Sequence, residues 1–123
     1  MAYKVAISST DGKVVNQHFG HTENFIIVQV DENKQYHFIE ERSVEAPCSA
    51  GGHDESVLEK AVLAVSDCRY VLCAQIGGGA EHMLEIKGIQ AVAIRDFIEN
   101  AVPKIIAYDI KQNKFKGEAA TVF

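Results

Sequence analysis

Three short stretches of this 123-residue chain gather residue types able to ligate or cradle a ligand. They are Asn16-Gln17-His18-Phe19-Gly20-His21, Cys48-Ser49-Ala50-Gly51-Gly52-His53 and Ile76-Gly77-Gly78-Gly79. Imidazole and thiolate are borderline to soft ligands, suited to iron and to iron-sulfur centres. Glycine-rich turns that enter a helix present backbone N–H groups at its positive end, where an anion is favoured. One or two such ligands within a ring of amides would hold a preassembled anionic cluster reversibly. Asp54 and Glu55 work against this, because they already occupy the start of the helix that follows the second stretch.

Each feature also has an ordinary reading. His18 and His21, three residues apart in a loop, fit surface hydrogen bonding as well as ligation. Cys48 and His53 have no Cys-x-x-Cys partner that would make a structural zinc site. The glycine runs serve equally as turns. Cys68 ends an amphipathic segment and Cys73 lies in an apolar one, so both read as core. His37 and His82 read as surface residues.

Enzyme motifs are missing. Gly77-Gly78-Gly79 continues as Ala80-Glu81-His82, which is neither Gly-x-Gly-x-x-Gly nor a P-loop. No Gly-x-Ser-x-Gly elbow occurs, and Val5 to Ser9 carries no acid of the kind a nuclease needs on its first strand. A Cys48–His nucleophile pair has no motif to support it.

The elements that must position these loops follow from periodicity. Tyr3 to Ser9 alternates and breaks at Asp11-Gly12; Asn24 to Asp31 is β-branched and aromatic; a turn at Asp31 to Lys34 leads to a hairpin partner from Gln35 to Arg42. Leu58, Ala61, Val62 and Val65 predict a helix over Asp54 to Ser66. Tyr70 to Gln75 and Ile89 to Ile94 read as buried strands. Between them a short helix through Met83 and Leu84 stops at Lys87-Gly88. A last helix carries Ile98, Ala101, Val102, Ile105 and Ile106. Pro103 fits only its first turn, which sets the start near Asn100. Beyond about Lys111 the weak periodicity predicts a loose tail.

The order β-β-β-α-β-α-β-α predicts an α/β fold with a single mixed five-stranded sheet flanked by helices. Its early strands are antiparallel and its later ones parallel through helical crossovers. In such sheets ligands collect at the carboxyl ends of the parallel strands, where the three stretches should meet.

Composition narrows the setting. The length suits one domain, residues 1–123. A net charge of −5 with no basic stripe argues against nucleic acid as partner. No apolar run suits a membrane span, and the N-terminus lacks a signal-peptide pattern, so a cytoplasmic protein is expected. Cys48, Cys68 and Cys73 do not suggest a disulfide framework.

Taken in order, Val-Ala-Ile-Ser-Ser-Thr-Asp-Gly from Val5, Val15-Asn16-Gln17-His18-Phe19-Gly20-His21, Phe25-Ile26-Ile27, Gly51-Gly52-His53-Asp54, Ser66-Asp67-Cys68, Ala74-Gln75-Ile76-Gly77-Gly78-Gly79 and Leu84-Glu85-Ile86-Lys87-Gly88-Ile89 resemble the dinitrogenase iron-molybdenum cofactor biosynthesis family. That family includes small cofactor carriers and the C-terminal domain of the cofactor-assembly radical enzyme. The resemblance runs from about Tyr3 to Ala107. It implies a ribonuclease-H-like motif and binding of iron-molybdenum cofactor or its iron-sulfur precursor cluster, a ligand expected to be lost on purification. It also implies transfer between metallocluster donor and acceptor proteins. His18 is the implied metal ligand. Gly20, His21, Cys48, Gly52, His53, Gly77, Gly78 and Gly79 complete the candidate cofactor-binding set. The radical enzyme's Cys-x-x-x-Cys-x-x-Cys motif is absent, so a non-catalytic carrier is expected; the resemblance points to nitrogen fixation, although the family also occurs outside it. A mononuclear zinc or iron protein and a metal-free interaction module are the alternatives. Oligomeric state is not legible.

Overall fold

Strand β1 (Tyr3–Ser8) lies at the centre of the sheet and sets both of its faces. Tyr3, Val5 and Ile7 point one way and Ala6 the other, as the two-residue period of a strand requires. The computed structural model describes residues 2–44 and 55–122, with side chains over 2–44 and 58–112. The elements follow the predicted order: β1, a single 3-10 turn at Phe19–His21, β2 (Asn24–Val30), β3 (Tyr36–Ser43), α1 (Glu55–Ala64), β4 (Tyr70–Cys73), α2 (Gly78–Ile86), β5 (Gln90–Ala93) and α3 (Ile98–Val122).

The five strands form one mixed sheet in the order β3-β2-β1-β4-β5. β2 runs antiparallel to β1 and to β3, whereas β4 runs parallel to β1 and to β5. Two apolar layers sandwich the sheet. On one face Val5, Ile7, Val28 and Leu72 meet Ile98, Ala101, Val102, Ile105 and Ile106 of α3. On the other, Ala6, Ile27 and Val71 meet Ala61 and Val62 of α1 and Ala80 and Leu84 of α2. The helical residues recur at three- and four-residue steps, so one stripe of each helix is covered.

Turn chemistry sets the connections. After β1, Asp11 Oδ1 accepts the N–H groups of Lys13 (2.8 Å) and Val14 (3.1 Å), while Gly12 takes φ +75°, a conformation that favours glycine. Those N–H bonds hold the Asp11 carboxyl below the usual range. Asp31 Oδ1 plays the same part in the hairpin turn, accepting from Asn33 and Gln35. Left-handed Gly88 (φ +78°) ends α2, with Ile89 N–H reaching back to Leu84 O at 2.9 Å.

Four expectations need correction. α3 starts at Ile98, so Pro103 lies in its second turn. Asp96 Oδ1, accepting from Phe97 N–H at 2.7 Å, anchors the earlier start, and the missing Pro103 donor leaves a gap near the helix's exposed side. α3 also runs on to Val122 instead of loosening after Lys111; once nucleated, a helix gains one hydrogen bond per added residue even without an apolar stripe. β5 is a half-exposed edge strand, not a buried one. β4 stops at Cys73 because β1 has already ended at Ser8, and Ala74 N–H turns to Gln17 O (2.8 Å).

Candidate functional site

The carboxyl ends of β1, β4 and β5 open onto one edge of the sheet, and the chain after β1 folds back across that edge. Asn16 and Gln17 N–H groups donate to Ser8 O (3.3 and 3.4 Å), and His18 forms a parallel bridge with Gln75. Phe19 N–H donates to Gln75 O at 2.9 Å. The histidine loop is therefore stitched, main chain to main chain, to the segment that leads from β4 into α2.

Phe19 anchors the loop. It is fully buried and tilts against Phe25, with ring centroids 5.6 Å apart. Its neighbours point outward: His18 and His21 are exposed and Gly20 half-exposed. The turn is closed by His18 O, which accepts from His21 N–H (3.1 Å) and from Thr22 Oγ1 (2.7 Å). The His18 and His21 rings meet edge to face, centroids 5.5 Å apart. Burying one aromatic thus presents two imidazoles.

Two residues beyond Gln75 comes Gly77, the N-cap of α2, in extended conformation with no side-chain cap. Leading N–H groups of a helix have no intrahelical acceptor, so Gly78 and Gly79 offer donors at the same edge as His18. A Cβ at Gly77, Gly78 or Gly79 would meet nothing within 4 Å, and none of the three has positive φ. Neither packing nor backbone conformation calls for glycine here, and glycine in a helix costs about 0.5–1 kcal/mol relative to alanine. The run keeps the approach to the helix end open. Glu81, in the first turn, opposes an anion at this end.

Of the predicted set, His18, Gly20 and His21 share one loop, and its bridge to Gln75 ties that loop two residues ahead of Gly77, from which Gly78 and Gly79 enter α2. Cys48, Gly52 and His53 lie outside the described residues. Cys68 and Cys73 are buried. Burial pushes both thiols up to about 12, helped by the charge of Asp67 at Cys68 and of Glu81 at Cys73. A thiol held protonated in this way is a poor ligand. His37 is exposed and bonded to Asp31 (2.9 Å), and His82 is exposed. Among the described residues, no group of three or more His, Cys, Asp or Glu side chains could hold a metal ion.

A polar cleft of about 330 Å³ adjoins the loop, lined by Ser9, Thr10, Gln17, His21, Glu23 and Asn24. A larger apolar recess, about 500 Å³, lies elsewhere, between β2, β3 and the start of α3. Its size does not make it the site, for it holds none of the candidate ligands.

Sequence reasoning did not pair Gln75 with His18. Gln75 is exposed and bridged to His18 across 57 residues of chain; the signal available was its place directly before the glycines.

Residues 1–108 match the family model described as dinitrogenase iron-molybdenum cofactor. The FeMo cofactor biosynthesis protein NifB of Frankia alni is 36% identical over 104 residues, 82% of this chain and 20% of that protein. Its counterpart in Herbaspirillum seropedicae is 37% identical over 106 residues, 85% of this chain and 19% of that one. The chain thus spans about a fifth of the length of these curated relatives. Two solved structures share the fold: PH0822 (TM-score 0.60, 22% identity, 85% of this chain and 90% of that one) and a Methanocaldococcus jannaschii protein (TM-score 0.56, 20% identity, 87% and 90%).

Proposed function

The chain belongs to the dinitrogenase iron-molybdenum cofactor family, and from that premise we propose that it binds a preformed iron-molybdenum or iron-sulfur cluster and passes it on without catalysing a reaction. The cluster is cargo, taken from a metallocluster donor and given to an acceptor protein in the cytoplasm, and the chain serves as one cofactor-binding domain.

The observation that carries this reading is the pairing of an exposed His18 with an unobstructed, glycine-built helix start across a single bridged residue, Gln75. In this reading His18 ligates a metal of the cluster. The leading N–H groups of α2 face its anionic sulfides, and His21 flanks it. Cys48, Gly52 and His53 are candidate second contacts. Sparse protein ligation suits a carrier, because a cargo held by one imidazole and a few amides leaves its other metals open to the acceptor. No described helix is long and apolar enough to cross a membrane.

Anaerobic titration with isolated cofactor or a thiolate-ligated [4Fe–4S] cluster tests the proposal through visible absorption and the ratio of metal to inorganic sulfide. Bound metal with sulfide is the expected result. Metal without sulfide would replace the carrier with a mononuclear zinc or iron protein, and neither would leave a metal-free interaction module. His18→Ala is expected to change stability by no more than about 0.5 kcal/mol, checked by thermal unfolding, while cutting cluster retention at least tenfold.

A further inference from the structure

We infer that Arg95 is the charge-selecting residue of this edge, the cation that makes the site choose an anionic metal-sulfide cargo over a neutral or cationic one. The inference rests on the cargo-binding reading above and adds a residue that carries no ligating group.

The position follows from the ladder. β5 is registered on β4 as far as Cys73 and Ala93, and Ile94 N–H donates to Cys73 O at 2.8 Å. Arg95 is the next residue, leaving β5 at the edge where His18 is bridged to Gln75. Ile94 and Asp96 on either side are half-buried, one packed on the core and the other capping α3, whereas Arg95 is exposed. Asp96 O then accepts from Val15 N–H at 2.9 Å, so Arg95 leaves β5 between a residue tied to β4 and one tied to the chain that leads into the histidine loop.

Charge accounting singles out the same residue. The chain has three arginines. Arg42 is bonded to Asp67 and Glu40, and Arg69 to Asp109. Arg95 makes no ion pair with any described residue. Asp11 accepts backbone N–H groups and Asp96 holds Lys104 at 3.0 Å, while Glu23 lines the polar cleft with His21. Lys13 lines the apolar recess beside Phe97 and Glu99. Glu81 places a negative charge in the first turn of α2, so backbone amides alone make a weak anion site, which a full positive charge at the exit of β5 would strengthen. A guanidinium presents several N–H donors in a fixed plane and stays charged at every relevant pH, so it can meet bridging sulfides or carboxylates without competing as a metal ligand.

The test compares parent, Arg95→Ala, Arg95→Lys and His18→Ala in anaerobic binding of a thiolate-ligated, anionic [4Fe–4S] cluster at low and high salt, with thermal midpoints alongside. Arg95→Ala is expected to fold like the parent, to bind roughly ten- to a hundredfold more weakly at low salt, and to show a flatter salt dependence. Arg95→Lys should recover part of the affinity and most of the salt dependence. Parent-like binding by Arg95→Ala at both salt concentrations, with His18→Ala still defective, would overturn the inference and leave the carrier reading standing. A parent protein that binds no cluster overturns both. An equal loss in Arg95→Lys and Arg95→Ala, or a lowered midpoint in both, would assign Arg95 a structural role instead.

Discussion

The two ends of the parallel strands are built on opposite plans. At the amino end, side chains lock the fold: Tyr70 Oη donates to Asp109 at 2.6 Å, Arg69 reaches the same carboxylate at 3.1 Å and lies 4.6 Å over the Tyr3 ring, and Tyr108 stacks edge-on at 6.2 Å from Tyr70. At the carboxyl end the segments are tied to one another by the main chain, through Phe19 N–H to Gln75 O, Ala74 N–H to Gln17 O and Val15 N–H to Asp96 O, with side chains such as Asp11 and Asp96 confined to local turns. The locked end spends its polar side chains on one another and keeps Asp109 buried. The stitched end leaves His18, Gln75 and Arg95 facing solvent. A fold that must offer side chains to a ligand does well to hold that region by backbone bonds and one apolar anchor.

If Phe19 is that anchor, Phe19→Ala should have the largest effect, about 3–5 kcal/mol of stability, with cluster binding lost even in the folded fraction. Denaturant unfolding and cluster titration on one sample would check it, and retained binding would show that the loop needs only its backbone bonds. Asp109→Asn comes next, at about 2–3 kcal/mol, since Arg69 loses its counter-charge while staying partly solvated. Here the binding of folded protein should be unchanged, and altered binding would mean that the two ends are coupled. The smallest effects concern Ser8 and Cys73, one register step past the Ile7–Leu72 pair. Ser8 Oγ is buried with no described partner, so Ser8→Ala should be neutral or stabilising by up to about 1 kcal/mol. Cys73→Ser should cost about 1–3 kcal/mol.

Alkaline titration sharpens the cysteine point. The thiols of the unfolded chain ionise near 9 and those of the folded protein near 12. The unfolded state therefore loses protons first, and stability should fall as pH rises from about 9 to 12. Cys73→Ser should flatten that slope in thermal midpoints, and an unchanged slope would contradict a buried, protonated thiol.

Most of the fold was legible because its signals are local. Strand periods, the Asp11-Gly12 and Lys87-Gly88 breaks and the apolar stripe of α3 are all visible within a dozen residues. What stayed hidden depends on pairing across the sheet. The His18–Gln75 bridge and the bond from Val15 N–H to Asp96 O join residues 57 and 81 apart in sequence, and no period marks them. Asp109 left a trace that went unread: it falls four residues after Ile105, a charge on the buried stripe of α3. The end of α3 misled for the opposite reason, since a polar helix shows no stripe to read.

The sheet's outer strands have a consequence for how the protein behaves at high concentration. β3 interrupts its register between Ile27 and Val28 of its partner and exposes His37, Glu40 and Glu41 along its length. β5, at the other margin, has only four residues. A kinked, charged strand and a very short one are poor templates for another chain's strand. Phe38 and Ile39 are exposed on β3, yet its kink and charges and the shortness of β5 disfavour stacking of copies into a continuous ribbon at either margin.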